Sequence, residues 1–286
     1  MDDISDFMAL SFSLEKERRI ENALRILVDQ SSNLPWKELR KRTSGESDIL
    51  VLMNAAAELA SIDSPVFFRK REDASEALTL VWLSNVLKKA RTQSLSNLDI
   101  EYKGITQADL RAIATRSSDT TAITSLSNFI FANYGISVVF EQAFPSMKLD
   151  GVTAKLQNGV PVIGLSLRYA RYDHLWFTLL HELAHISMHY DQLENPIFDD
   201  LDEDDNATDI EIEANRLAAD SLIPRRIWNK AAVHRSMNQE DLYEMAKAAG
   251  VHPAIAAGMV RKRNGNYKIF SELVNSIDVR NILEIE

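Results

Sequence analysis

Three residues of one short segment could do chemistry together: His181, Glu182 and His185, in the run Leu175 to Tyr190 that reads L-W-F-T-L-L-H-E-L-A-H-I-S-M-H-Y. Residues four apart lie one turn apart on the same face of a helix. The imidazoles of His181 and His185 can therefore meet one ion, about 2 Å from each ligating nitrogen. Glu182, the next position round the helix, falls beside such an ion rather than on it and within reach of a water. A bound zinc lowers the pKa of that water and a neighbouring carboxylate takes its proton. The spacing thus predicts zinc-assisted hydrolysis with Glu182 as general base. The plain alternative is two core histidines with a salt-bridged glutamate, but three ionisable groups on a mostly apolar helix need partners to offset their burial.

The chain has no cysteine and six histidines, so a metal must be held by His, Asp or Glu. A third ligand has to come from another element, leaving a fourth position open for water. Glu211 and Glu213 are the candidates, on a helix read from Thr208 to Leu222. With Ile210, Ala214, Leu217 and Ser221 taken as its inward side, both glutamates flank that side about equally, and periodicity does not decide between them. His189 continues the four-residue series but lies about 12 Å along the axis from His181, too far to share one ion. It suits a helix C-terminus or the support of the ligands. His174, about two turns ahead of the motif, reads as a surface histidine. Tyr169, Tyr190, His234 and Tyr243 are the candidate oxyanion donors.

The elements that must position these residues follow from periodicity. The first third reads as successive helices: Ile20, Ala23, Leu24, Leu27 and Val28 recur at helical spacing, and so does Ile49 to Leu59. Asp73 with Glu76 makes a capping box before Ala77 to Leu87. Pro65 and the charged stretch Arg69 to Asp73 place a boundary near residue 72. Ile105 to Ser117, capped by Thr106, and Ala122 to Tyr134, closed by Gly135, add two helices. The period then changes to two. Ile136 to Phe140, Val152 to Leu156 and Val160 to Leu167 predict a small antiparallel sheet, with Asn158-Gly159 at a hairpin turn and Pro161 at a strand start or edge. An edge of this sheet could hold an extended substrate by backbone pairing. The expected fold is α+β: residues 1–72 a helical segment of unassigned role, 73–134 a helical region leading into the core, and 135–286 a minimal zincin-like domain.

Composition bounds the rest. At 286 residues, 45% apolar and 26% charged, the chain can bury real cores. No signal or membrane-spanning stretch is visible, which predicts a cytoplasmic protein without membrane contact. A formal net charge of -10 disfavours a nucleic-acid footprint over the whole surface. The basic run Lys37, Arg40, Lys41, Arg42 and the helix-turn-helix outline of Asp241 to Arg263 around Gly250 leave DNA contact as a disfavoured option. Nine acids crowd Asp191 to Asp209. Asp200, Asp202, Asp204 and Glu211 fall at calcium-loop offsets, but Asp205 stands where that loop needs glycine. The run reads instead as a solvated lid with Ile197 and Phe198 tucked inward, its charge disfavouring acidic substrates.

H-E-L-A-H at 181 to 185 followed by E-A-N-R-L-A-A-D-S-L-I-P at 213 to 224 resembles the ImmA/IrrE family of metallopeptidases. Gly151 to Leu167, Arg168 to Trp176 and Val251 to Arg263 also read like the version fused to antitoxin-type regulators. The resemblance spans roughly residues 76 to 286, and Ala184 replaces the family's usual glycine. Residues 1–70 do not resemble the helix-turn-helix domain often placed ahead of it. The resemblance implies a Zn2+ cofactor, Glu213 as the third ligand, and cleavage of a regulatory protein such as a repressor or antitoxin. The partner would be a regulator or toxin encoded nearby. A second function class is a regulator or antitoxin that binds and neutralises a partner toxin without hydrolysis.

Overall fold

The computed structural model describes residues 2–43, 45–62, 74–145, 147–193, 195–199 and 208–285, with side chains from 14 onward except at 33 and 74–76. The Asp73–Glu76 capping box, the boundary near residue 72 and the acids Asp200 to Asp205 lie outside the described residues or side chains.

Four helices form the first layer: α1 (Asp2–Asp29), α2 (Trp36–Arg42), α3 (Asp48–Leu59) and α4 (Ala74–Leu95). In α1, Ala23 and Leu27 are buried while Val28 turns to solvent. In α3, Val51, Leu52, Ala55, Ala56 and Leu59 are buried, and the Ser47 hydroxyl caps the helix by accepting from Leu50 N. In α4, Trp82, Leu83, Val86, Leu87 and Ala90 are fully enclosed. Next come α5 (Gln107–Thr115) and α6 (Ile123–Tyr134). Thr106 and Asp109 cap α5 reciprocally, and α6 ends at Gly135 with φ +67°, a left-handed conformation open to glycine without steric cost.

The sheet contains β1 (Ser137–Phe140), β2 (Gly151–Lys155), β3 (Pro161–Leu165) and β4 (Ile197–Asp199) in the order β1-β3-β2-β4. The β2-β3 hairpin is antiparallel, as the alternation predicts; β4, which the alternation does not mark, joins β2 antiparallel, and β1 joins β3 in parallel rather than in the expected antiparallel sense. Pro161 is the first residue of central β3, where its missing N–H interrupts the ladder only at the strand's end. In the hairpin, Leu156 N donates to Val160 O and Gly159 has φ +85°. Gln157, Asn158 and Gly159 thus make a three-residue loop with glycine alone in the left-handed region.

Side chains alternate across the sheet. Val139, Val152 and Val162 join the core of α1, α3 and α4, while Val138, Ile163 and Leu165 face the core around α7 (Tyr172–His189). Beyond α7 lie α8 (Asp209–Leu222), α9 (Arg225–Trp228), α10 (Val233–Ser236), α11 (Gln239–Ala249), α12 (Pro253–Asn264), α13 (Ser271–Val274) and α14 (Val279–Ile282). The architecture is α+β, with a helical N-terminal part and a small sheet against the α7 layer, as a minimal zincin-like core requires. No helix among the described residues is long and apolar enough to cross a membrane.

Candidate metal centre

Helix α7 is buried nearly all round: Leu175, Trp176, Leu179, Leu180, Leu183, Ala184 and Ile186 are enclosed. A helix apolar on every face needs protein on every face. It sits between the sheet, α5, α8 and α12. His181, Glu182 and His185 therefore lie at the centre of the domain, each fully buried. The Nε2 atoms of His181 and His185 approach to 3.0 Å. Phe177, one turn earlier, stacks on His181 with ring centroids 6.4 Å apart.

Two carboxylates complete the cluster. Asp199 Oδ2 lies 3.2 Å from His181 Nε2 and 3.6 Å from His185 Nε2. Glu211 reaches the same nitrogens at 3.2 and 3.5 Å. Glu213, which the family resemblance singles out, is not brought there: its side chain is 61% exposed and its nearest ionic neighbour is His189 Nε2, at 3.7 Å. The phase of α8 is the reason. Its buried residues are Ala214, Ala218, Ser221 and Leu222, not the Ile210, Ala214, Leu217, Ser221 stripe. At about 100° per residue, Glu211 falls inside that buried arc and Glu213 about 200° away from Glu211.

Asp199 comes from an element that the sequence does not announce. Strand β4 pairs with β2, and in its register Asp199 lies opposite Gly151, with Asp150 N donating to Asp199 O at 2.8 Å. Asp199 is buried and Phe198 is 38% exposed, so of the residues expected to tuck inward, Phe198 turns out.

Glu182 lies over β2. The Thr153 hydroxyl donates to Glu182 Oε2 at 2.5 Å, while Oε1 is buried with no hydrogen-bond donor among the described residues. Oε1 occupies space that only glycine leaves open: a Cβ on Gly151 would stand 1.8 Å from it. Burial, followed by the charge of Asp199, pushes the Glu182 carboxyl well above its ordinary pKa. Burial lowers the proton affinity of His181, but Asp199 and Glu211 more than offset this and raise its pKa to about 9. Glu211 is held well below the carboxylate range: burial opposes this, and hydrogen bonds from His181 and His185 prevail.

Other sequence candidates are engaged elsewhere. His174 is half-buried rather than at the surface, with Nε2 3.0 Å from Asp150 Oδ1, and Arg168 pairs with the other oxygen of Asp150. His189 ends α7, as its position suggests. Tyr190 donates to Gly159 O, Tyr243 hydrogen-bonds Gln239, and His234 contacts Trp228 O. Tyr169 packs edge-on against His174. In the helix-turn-helix outline, α12 buries Ala254, Ile255, Ala256, Ala257 and Val260 and packs against α7 and α11. In the basic run, Arg40 pairs with Asp48, and Lys41 and Arg42 pair with Glu38.

The cluster fits a metal ion. A tetrahedral site with bonds of about 2.0–2.1 Å sets its ligand atoms about 3.3 Å apart. The distances among the two nitrogens and two carboxylates given above run from 3.0 to 3.6 Å. Three carboxylates, Glu182, Asp199 and Glu211, meet two imidazoles in a buried space. A divalent cation balances that excess of negative charge. His181, His185, Asp199 and Glu211 can thus hold a metal.

A search of curated proteins returned no match. Residues 132–260, from the end of α6 through most of α12, match the model of the peptidase M78 family described as the IrrE N-terminal-like domain. The matched segment is narrower than the resemblance at 76 to 286 and contains the sheet and every residue of the metal cluster. Over this segment the chain matches the family that its motifs at 181 to 185 and 213 to 224 resemble, the ImmA/IrrE metallopeptidases.

Proposed function

We propose that the protein is a zinc-dependent endopeptidase that cuts a regulatory protein, with His181, His185 and Glu211 holding the ion and Glu182 acting as general base. The observation that carries this reading is the convergence of both histidine Nε2 atoms and the Glu211 carboxylate beside a buried Glu182. Imidazole and carboxylate donors without thiolate suit zinc. When bound, zinc supplies a Lewis acid that acidifies water and polarises the scissile carbonyl.

The chain's own groups do the rest. Glu182 Oε1 takes a proton from the attacking water and passes it to the leaving amine, and its raised proton affinity suits that transfer. Thr153 fixes the carboxylate through Oε2, so the oxygen left without a donor is the one that moves the proton. A catalytic site needs an open position. Asp199 stands on a three-residue edge strand, so of the four donors it is the one whose withdrawal breaks the least structure. The substrate is a repressor, antitoxin or similar regulator encoded nearby, as the family resemblance suggests.

Glu182→Gln tests the reading. The amide keeps the side chain's size and cannot accept the proton. Metal content should stay at one ion per chain while cleavage of co-expressed neighbouring regulators falls by a factor on the order of a hundred or more. If the variant still neutralises its partner, the non-hydrolytic antitoxin reading replaces this one.

A further inference from the structure

Helices α7 and α8 carry more than the metal cluster. With α9 and α12 they enclose a cleft of about 660 Å³. Phe177, whose ring stacks on His181, belongs to its wall, so the cleft begins one helical turn from the candidate ligands. Its other aromatic residues are Tyr169, Trp228 and Tyr267.

The charge of this cleft is opposite to that of the chain. Arg171, Arg216, Arg225, Lys262 and Arg263 line it, against the acids Asp173 and Asp220. Both acids are engaged. Asp173 is bridged by Arg171 through two hydrogen bonds, and Asp220 accepts from Arg225 N and from Gln107 Nε2. Arg216, Arg225 and Arg263 have no carboxylate partner among the described residues; Arg263 instead lies 5.7 Å over the Trp228 ring. Asn215 adds a buried side-chain oxygen with no hydrogen-bond donor, at the same cleft.

Resting on the peptidase reading, we propose that this cleft binds an acidic, aromatic-containing stretch of the protein substrate and seats it beside the metal centre. Unpaired guanidinium groups select carboxylates, stacked aromatic faces take apolar side chains, and the Asn215 oxygen accepts a peptide N–H. A phosphate ligand fits less well. The cleft's one glycine, Gly258, lies inside α12 with Asp173 filling the space above it, so no glycine loop offers backbone N–H groups to phosphate. The Asn215 oxygen would also face it with an acceptor. The selectivity is the reverse of what the acidic run at 191–209 predicts.

The test uses the full chain loaded with zinc and carrying Glu182→Gln, so that binding is read without cleavage. The probes are two fluorescein-labelled decapeptides, one of Glu with two Tyr and its counterpart with Lys for Glu, followed by anisotropy. The acidic probe should bind at least tenfold more tightly than the basic one and weaken as salt rises. Arg216→Glu combined with Arg263→Glu, both exposed, should weaken it at least tenfold with the circular dichroism spectrum unchanged. Arg216→Gln alone should give a smaller loss in the same direction. Equal binding of the two probes, indifference to the charge reversals, or binding of ATP but of neither peptide would overturn the proposal. Failure of the peptidase reading is seen separately: the acidic probe binds, yet the chain with Glu182 intact cleaves no partner.

Discussion

Gly151→Ala is the sharpest test of how the sheet serves Glu182. Gly151 does not have a left-handed backbone, so alanine costs nothing in φ and the whole effect is steric. The added Cβ would stand 1.8 Å from Glu182 Oε1, whereas ordinary contact begins at 3.4 Å. The carboxylate or the strand must therefore yield by about 1.6 Å. The Cβ also meets Glu182 Cδ at 2.7 Å and Thr178 Cγ2 at 3.0 Å, so the side chain has little room to step aside.

A displacement of about 1 Å at a reacting group can cost roughly a hundredfold in rate, and overpacking a buried site costs about 1–3 kcal/mol of stability. Gly151→Ala should therefore cleave the partner at least a hundredfold more slowly, with a lowered Tm but one metal ion per chain retained. The three atoms nearest the new methyl group belong to Glu182 and Thr178, not to His181, His185 or Glu211. The decisive assay is a double-mutant cycle. If the methyl group acts through Glu182, adding it to Glu182→Gln should change the residual rate little. A full, independent loss in the double variant, or near-native cleavage by Gly151→Ala alone, would refute the reasoning.

Glu211→Gln should lower metal affinity by at least tenfold while Glu213→Gln leaves it unchanged, read by competitive titration with a chromophoric chelator; the reverse ranking would restore the assignment drawn from the family motif. Because His181 holds a proton up to pH about 9 in the metal-free site and only neutral imidazole ligates, metal uptake at pH 7 should release about one proton from it. Apparent affinity should then rise with pH up to about 9, and calorimetry in buffers of different ionisation enthalpy should show the release. An affinity flat between pH 6 and 8 counts against the coupling of His181 to Asp199 and Glu211.

Most of what periodicity could carry was legible in the chain. The caps at Thr106 and Gly135, and the strands near 137, 151 and 161, follow from local chemistry that survives folding. The motif on α7 was legible because four-residue spacing has one meaning on a helix. The parallel seat of β1 was not, since strand direction depends on which neighbour a strand meets. Nor was the hidden half of His174, whose partner Asp150 is 24 residues away in the chain.

The carboxylates of the metal cluster show the same limit from two sides. On α8 the reading fails by phase. Ile210 and Leu217 are the bulky apolar residues and so mark the inner face by hydrophobicity, yet both are only half-buried. The buried face of α8 includes Ala214 and Ala218, whose small side chains are fully enclosed. A stripe weighted by hydrophobicity underestimates alanine, and the resulting error of about 55° is enough to make Glu211 and Glu213 equivalent. Asp199 fails by context. In a run of nine acids nothing marks Asp199 as one that folds inward, because its direction is set by a three-residue pairing with β2. That pairing begins at Gly151, the residue whose missing side chain makes room for Glu182. One strand end thus sets both the base and a metal-facing carboxylate, and that coupling appears only once β2, β4 and α7 are brought together.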